Sequence, residues 1–435
     1  MTFEYLKTAP GLPPDPRGDT ADMVRVMLAR LKARGEAAAR DYAARLDGWT
    51  GEIAVTEAQV AAASARVPDR LRAEIGFAHD NIRRFAEAQR ASAQDFEIEL
   101  RPGLIAAQRQ IPLNAAGCYV PGGRYAHIAS ALMTIATARA AGVEHVVACA
   151  PPRDETGIHP AVLYAMSLAG ADRILCLGGV QGIAAMAFGM FGCTPADMLA
   201  GPGNPFVAEA KRQLFGPVGI DMVAGPTDAM ILADATADPS VVAWDLAAQA
   251  EHGCNSPVWL VSDDRALAME VLRLVPRCAA GLPEPNATEA RAAWQALGEV
   301  ILCPDREAMA QVADRYGPEH LHVQAADPDW WTSRLRVYGS LFLGAATTVA
   351  FGDKAAGPNH VLPTGGAARH TGGLSVHKFL KTVTWQRVDD RAVPDLARAT
   401  AAISRAEGME GHARSADIRL AKRAPPLKLA VNQKD

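Results

Sequence analysis

The chain has 435 residues, 49% hydrophobic and 21% charged, with a net charge of -4; that length suggests about two or three domains, and that charge argues against nucleic acid or an anionic membrane as the main partner. Its seven cysteines are scattered, odd in number and without a CxxC pair, which fits reduced thiols in a cytoplasmic protein and not a disulfide framework. The first residues lack the basic-then-apolar pattern of a secretory leader, and no uncharged apolar run is long enough to span a bilayer.

Residues 1–18 read as an arm, a short apolar piece followed by a Pro/Gly-rich linker. From Asp19 to about Arg90 the Ala, Arg and Glu-rich pattern predicts several helices, and residues 97–113 resemble a strand pair. At Gly117 the pattern changes to strand, glycine turn and helix. It predicts strands at Cys118–Val120, His145–Ala150 and Arg173–Leu177, and helices at Ile128–Ala141, Pro160–Ala169, Gly182–Phe188 and Phe206–Phe215. A second alternating run starts near Met230–Leu232. It continues with a helix over Val241–His252, strands at Pro257–Ser262, Val300–Cys303, His322–Val323 and Gly339–Leu343, and a helix over Asp305–Tyr316. Such alternation implies parallel sheets covered by helices on both faces. The expected fold is α/β, two Rossmann-like parallel-sheet domains with a mostly helical C-terminal extension. The expected domains are residues 19–107 plus 230–372, residues 108–229 as the nucleotide-binding domain, and residues 373–435. Ligand loops are expected at the carboxyl ends of the strands.

Several stretches could carry chemistry. In DLAAQAEHGCNS, Asp245–Ser256, Gln249 and His252 lie three residues apart and share the last helical turn. The negative end of a helix favours a cation there, and imidazole with a weak amide ligand could hold zinc for catalysis; a plain helix cap with a surface histidine is the alternative. GPEHL places Glu319 beside His320, two proton-transfer groups near neutral pH or else a surface turn. The loop FGDKAAGPNHVLPTGG offers Asp353 as a ligand, Lys354 as a cation and His360 as a donor or base. GGVQGIAAMAFG and AGPGNPFVAEAK each put glycines before a helix, where exposed amides suit a phosphate. AGPTD offers Thr227, and EGMEGH places Glu407 and His412 on a late helix. Cys118 and Cys254 could be nucleophiles, but without an activating neighbour they read as plain thiols.

Together these stretches, with GCYVPGG, GPVGIDMVAGPTD and GGLSVHKF, resemble the histidinol dehydrogenase family over nearly the whole chain. The resemblance implies zinc held by Gln249, His252, Asp353 and His412, the last supplied by the partner subunit of an intertwined homodimer. It implies Glu319 and His320 as the acid/base pair, NAD contacts at Tyr119, Gln181 and Asn204, and substrate contacts at Thr227, His360 and Glu407. Its implied chemistry is a four-electron oxidation of a primary alcohol through an aldehyde to a carboxylate. The family usually has Ser-Glu where this chain has Thr227-Asp228.

The loop after PGG here carries Arg124 and His127, and the usual acidic pair before Phe379 is His377 and Lys378. Added cations do not suit the ammonium of histidinol but do suit an anion. Arg124, His127 and Lys378 are therefore expected anion contacts. The pattern resembles the sulfopropanediol 3-dehydrogenase branch, which oxidises 2,3-dihydroxypropane-1-sulfonate to 3-sulfolactate. L-histidinol is the alternative substrate, and a zinc-binding protein without catalysis is the alternative class.

Overall fold

The computed structural model describes residues 3–11, 17–123 and 125–421. In chain order the first elements are β1 (Glu4–Lys7), α1 (Arg17–Leu46, broken at Gly35), α2 (Glu57–Ala65), α3 (Asp69–Ser92), β2 (Phe96–Arg101) and β3 (Leu104–Pro112). There follow β4 (Ala115–Tyr119), α4 (Ile128–Ala141), β5 (His145–Ala150), α5 (Pro160–Leu168), β6 (Arg173–Cys176), α6 (Gly179–Phe188), β7 (Met198–Ala200), α7 (Pro205–Leu214) and β8 (Gly219–Ile220). Next come β9 (Ala229–Ala233), α8 (Pro239–Ala250), β10 (Val258–Ser262), α9 (Arg265–Ala280), α10 (Asn286–Leu297), β11 (Glu299–Leu302), α11 (Arg306–Tyr316) and β12 (His320–Gln324). The last are α12 (Pro328–Arg334), β13 (Ser340–Leu343), α13 (Val349–Lys354), β14 (Leu380–Val388), α14 (Val393–Ala406) and α15 (Glu410–Ala421).

The chain divides into two compact units, Met1–Ala91 with Pro112–Phe379, and Ser92–Ile111 with Leu380–Asp435. The first unit contains both large sheets. One has five strands in the order β6-β5-β4-β7-β8, all parallel. The other has six, β1-β11-β10-β9-β12-β13, parallel except for β1, which runs antiparallel along β11. The residues read as an arm thus contribute an edge strand. Central strands such as β4 and β9 are buried at every position. Helices cover both of their faces, so these strands read as continuous apolar runs and not as alternation.

Helix α4 shows how the five-stranded sheet is covered. Its sequence IASALMTIATARAA is buried almost throughout. Small side chains allow close approach, and the Thr134 and Thr137 hydroxyls donate back to the Ser130 and Met133 carbonyls, so burial strands neither. Gly142, at φ 93°, ends the helix in the left-handed conformation that glycine adopts without strain. On the opposite face, α1 packs with α6 and α7 in one apolar cluster. Of residues 19–107, expected to group with the other sheet, α1 meets α6 and α7, α2 meets α5, and residues 92–107 belong to the second unit. The six-stranded sheet lies between α8, α9 and α10 on one face and α11 and α12 on the other.

The second unit holds the three-stranded sheet β14-β3-β2 and the helix pair α14 and α15, packed through Val393, Ala397, Ala401, Ala413 and Ala416. The C-terminal segment therefore opens with a strand, β14, before its helices. Among the described residues no helix is long and apolar enough to cross a membrane.

Candidate active site

The glutamate and histidine of GPEHL are not in a surface turn. Gly317, at φ 62°, caps α11, the chain turns inward through Pro318, and His320 becomes the first residue of β12. Glu319 and His320 are only 4% and 2% exposed. Glu319 accepts the Thr227 hydroxyl at 2.8 Å and the Asp228 amide at 3.1 Å. Asp228 returns the contact, accepting the Glu319 amide at 2.6 Å and the Gly365 amide at 3.0 Å. Its carbonyl lies 3.1 Å from His320 Nδ1, which fixes that nitrogen as the donor. The other ring nitrogen, Nε2, is buried without a hydrogen bond, 3.4 Å from an Asp353 oxygen.

The electrostatics follow from this packing. Burial raises the Glu319 carboxyl well above the ordinary carboxylate range, against the pull of His320. For His320, burial opposes the charged form, but the Glu319 and Asp353 carboxylates outweigh it and raise the pKa. Burial alone would also raise Asp353, yet His320, His360 and His252 hold it below the usual range and ionised. Two groups of this kind, side by side and able to exchange protons with a bound molecule, suit general acid/base chemistry.

Helix α8 begins at its Asp238 cap and closes at Glu251. Gln249 therefore lies in its last turn, while His252 sits just beyond it, not on the helix as its spacing suggested. His252 Nε2 is 3.9 Å from Asp353 Oδ2. Asp353 belongs to α13, which Thr348 caps, so the first part of the expected loop is helical. Desolvation holds the His252 imidazole below its ordinary pKa, leaving it neutral as a metal ligand must be. Gln249 Oε1 is buried and has no partner, a costly state for an acceptor unless a ligand fills it. One imidazole, one carboxylate and one unpartnered amide oxygen fit a zinc ion that still needs a further donor. Among the described residues no three His, Cys, Asp or Glu side chains gather as a metal group.

Of the expected anion contacts, Arg124 lies outside the described residues. His127 is the first-turn cap of α4 but makes no side-chain capping bond. Burial, together with His360, Lys354 and His252, pushes its pKa down to about 4. At that value it meets the site as a neutral hydrogen-bonding group. His360 links the two halves of the site, with Nε2 2.9 Å from the Ser130 hydroxyl on α4 and Nδ1 2.9 Å from the Asp353 carbonyl. The Lys378 ammonium instead donates to the Thr371 hydroxyl at 3.0 Å. Among the described residues, Lys354, the residue after Asp353, is a cation whose charge acts on His127, His252 and His360.

The three nucleotide candidates cluster at the carboxyl edge of the five-stranded sheet. Tyr119 ends β4, and its hydroxyl accepts the Gly179 amide at 3.1 Å. Gln181 lies in the first turn of α6, with Nε2 on Asp47 at 2.8 Å and Oε1 buried without a partner. Asn204 caps α7 by accepting the Val207 amide at 3.0 Å. Gly201, at φ 118°, passes so close to the Tyr119 carbonyl that a side chain would collide with it. Its amide donates to Asp221, which pairs with the buried Lys211. Both glycine turns therefore already spend amides on protein acceptors, unlike the open phosphate cradles expected from composition.

The remaining two candidates lie in the second unit. Glu407 caps the end of α14, Gly408 at φ 79° reverses the chain, and His412 enters α15. The EGMEGH segment is thus a helix–helix turn and not one helix. His412 is exposed and lines a cleft of about 930 Å³ with Val388, Val393, Leu396, Ser415 and Arg419.

Sequence reasoning passed over Asp228, Ser130 and Asp245. The last accepts Gln324 Nε2 at 2.7 Å and the Thr348 hydroxyl at 2.9 Å, and lies 3.5 Å from His322 Nδ1. Its spacing of four residues before Gln249 placed it on the same helix face, a signal that was available. As for the cysteines, Cys118 is buried, which pushes its thiol up to about 12, and Cys254 is exposed; neither touches the acid/base pair.

The profile of the histidinol dehydrogenase family matches residues 15–420. A Ruegeria pomeroyi protein called histidinol dehydrogenase homolog is 74% identical over 98% of this chain and 99% of its own length. A second protein of that organism, sulfopropanediol 3-dehydrogenase, is 59% identical over 98% of each chain. Among solved structures, histidinol dehydrogenase from Elizabethkingia anophelis superposes with a TM-score of 0.90 at 32% identity, covering 95% of this chain and 94% of its own.

Proposed function

The chain belongs to the histidinol dehydrogenase family of oxidoreductases, and from that premise we propose that it is a cytoplasmic zinc- and NAD-dependent dehydrogenase of a small anionic diol. The reaction is 2,3-dihydroxypropane-1-sulfonate to 3-sulfolactate, taking up one water and reducing two NAD through an aldehyde. The observation that carries the chemistry is the buried Glu319–His320 pair beside Asp353. His320 takes the hydroxyl proton through Nε2 as hydride leaves the carbon, with Nδ1 held by the Asp228 carbonyl. Glu319, oriented by Thr227 and the Asp228 amide, draws a proton from the water that adds to the aldehyde. Gln249, His252 and Asp353 would hold zinc. Zinc held there would supply a Lewis acid for the substrate oxygens, and its charge would offset that of Asp353, which otherwise favours protonated His320.

The anion reading is supported by the start of α4, where the cap residue His127 makes no side-chain capping bond and feels the charge of Lys354, and burial holds His127 and His360 below the ordinary imidazole pKa. A helix start with a lysine beside it suits a sulfonate better than an ammonium. The 59% identity to sulfopropanediol 3-dehydrogenase agrees with that.

A homodimer completes the reading, with Glu407 and His412 supplied by the partner subunit. Phe96, Ile98 and Leu100 alternate along β2 and are all exposed, as are Val383 and Val388 on β14. An apolar strand face of this kind is costly in a lone chain. NADH formation by the zinc-loaded protein with dihydroxypropanesulfonate and L-histidinol side by side tests the proposal. Turnover of the sulfonate alone supports it; turnover of histidinol alone overturns the anion assignment and keeps the dehydrogenase.

A further inference from the structure

The start of helix α6 already spends two of its backbone amides on protein acceptors. The Gly179 amide donates to the Tyr119 hydroxyl, and the Gly178 amide donates to the Asp47 carboxylate. Asp47 follows the end of α1 and lies 134 residues before Gln181 in the chain. Its other contact is the Gln181 amide nitrogen at 2.8 Å. A carboxylate only accepts hydrogen bonds, so this contact fixes which way the amide faces. Nitrogen points to Asp47 and Oε1 points away. Gln181 is 1% exposed, and its Oε1 has no partner. The protein has built a buried acceptor that waits for a donor.

We propose that Asp47 is a positioning and selectivity residue for the dinucleotide. It turns Gln181 Oε1 toward a hydroxyl or amino donor of the cofactor and sets a negative charge at the start of α6 that disfavours an additional phosphate. The inference rests on the NAD reading above. NAD carries such donors on its ribose hydroxyls, carboxamide and adenine amino group. NADP replaces one ribose hydroxyl by a phosphate, which removes a donor and brings negative charge to an edge that already holds a carboxylate. Selectivity then arises from repulsion as well as from contact.

The test is calorimetric titration of NAD⁺ and NADP⁺ into the full-length, zinc-loaded protein and its Asp47→Ala and Asp47→Asn variants, with the melting temperature of each. The wild type should bind NAD⁺ in preference to NADP⁺. Asp47→Ala should raise the NAD⁺ Kd about tenfold, the loss of one charge-assisted hydrogen bond. Asp47→Asn keeps an acceptor for Gln181 but loses the charge, so it should move the NAD⁺ Kd less than about threefold and still narrow the preference over NADP⁺. It also carries the test if the alanine variant does not fold. Unchanged affinities and unchanged preference in a folded variant overturn the proposal, as does a wild type that binds both dinucleotides equally. A wild type that binds neither overturns the NAD reading and this inference together.

Discussion

Replacing Asp245 by alanine should damage the metal site without touching a ligand. Asp245 sits on α8 one turn before Gln249. It accepts Gln324 Nε2 from β12, the strand that begins at His320, and the Thr348 hydroxyl that caps α13, the helix carrying Asp353. One carboxylate thus ties together the three elements that position the candidate ligands and base. Its side chain is 14% exposed, and that of the neighbouring His322 is fully buried. Two hydrogen bonds to an ionised acceptor contribute about 1.5–3 kcal/mol each, and breaking one partner out of a buried charged group costs about 3–5 kcal/mol. We expect Asp245→Ala to cost about 4 kcal/mol on that basis. It should also weaken zinc about 10- to 100-fold, the range for residues that orient metal ligands. Thr348→Ala removes only one of the bonds and should cost about 1.5 kcal/mol, with the double variant less destabilised than the sum because the two share one partner. Urea titration of the metal-free protein reads the stability, and competition with a chromophoric chelator reads the zinc affinity. If Asp245→Ala stays within about 1 kcal/mol of wild type with unchanged zinc affinity, the tie between the three elements is not energetic and the argument fails.

His320→Ala should largely abolish oxidation of the alcohol, whereas Glu319→Ala should slow oxidation of supplied aldehyde more; wild-type rates in both would remove the acid/base assignment. Because burial raises the Glu319 carboxyl above its ordinary 4.5, its basic form is lost as pH falls through that raised value. Aldehyde oxidation in single-turnover mixing should therefore decline with acidification well above pH 4.5, and a flat profile down to that pH would contradict it. Lys354→Ala should raise KM for the sulfonate about tenfold, while Lys378→Ala, whose ammonium rests on Thr371, should leave it nearly unchanged; steady-state kinetics showing the reverse order would return the anion contact to Lys378. Cys254 is the one exposed thiol and the other six are buried. A thiol reagent should modify a single cysteine rapidly in the native protein, and fast loss of several thiols would contradict the packing.

The strands and helices were legible where apolar runs and glycine turns agree. Ile128–Ala141 and His145–Ala150 are observed as expected, because a buried helix of small residues and a doubly covered strand each leave a continuous apolar signature. The ends of elements were less legible. Thr348 starts a helix inside a glycine-rich stretch because its hydroxyl accepts the Ala350 amide, a local bond that composition does not announce. Glu319 and His320 could be named from their motif but not placed. Nothing in GPEHL shows that Asp228, 91 residues earlier, supplies the amide and carboxylate that hold it. Charge counting could not foresee that burial, and then the neighbouring His360, Lys354 and His252, would lower the His127 pKa to about 4. Nor could the sequence show that the Lys378 ammonium rests on the Thr371 hydroxyl.

The acid/base pair lies at the amino ends of β9 and β12 in the six-stranded sheet, while the nucleotide candidates lie beyond the carboxyl ends of β4, β6 and β7 in the five-stranded sheet. Residues as distant in the chain as Ser130 and His360, 230 apart, must meet before the two edges face one another. Each sheet draws mainly on contiguous chain, so local pairing can proceed without the site. A refolding chain should then recover its strand and helix content early and its activity last, with the link from Ser130 to His360 among the final contacts to form.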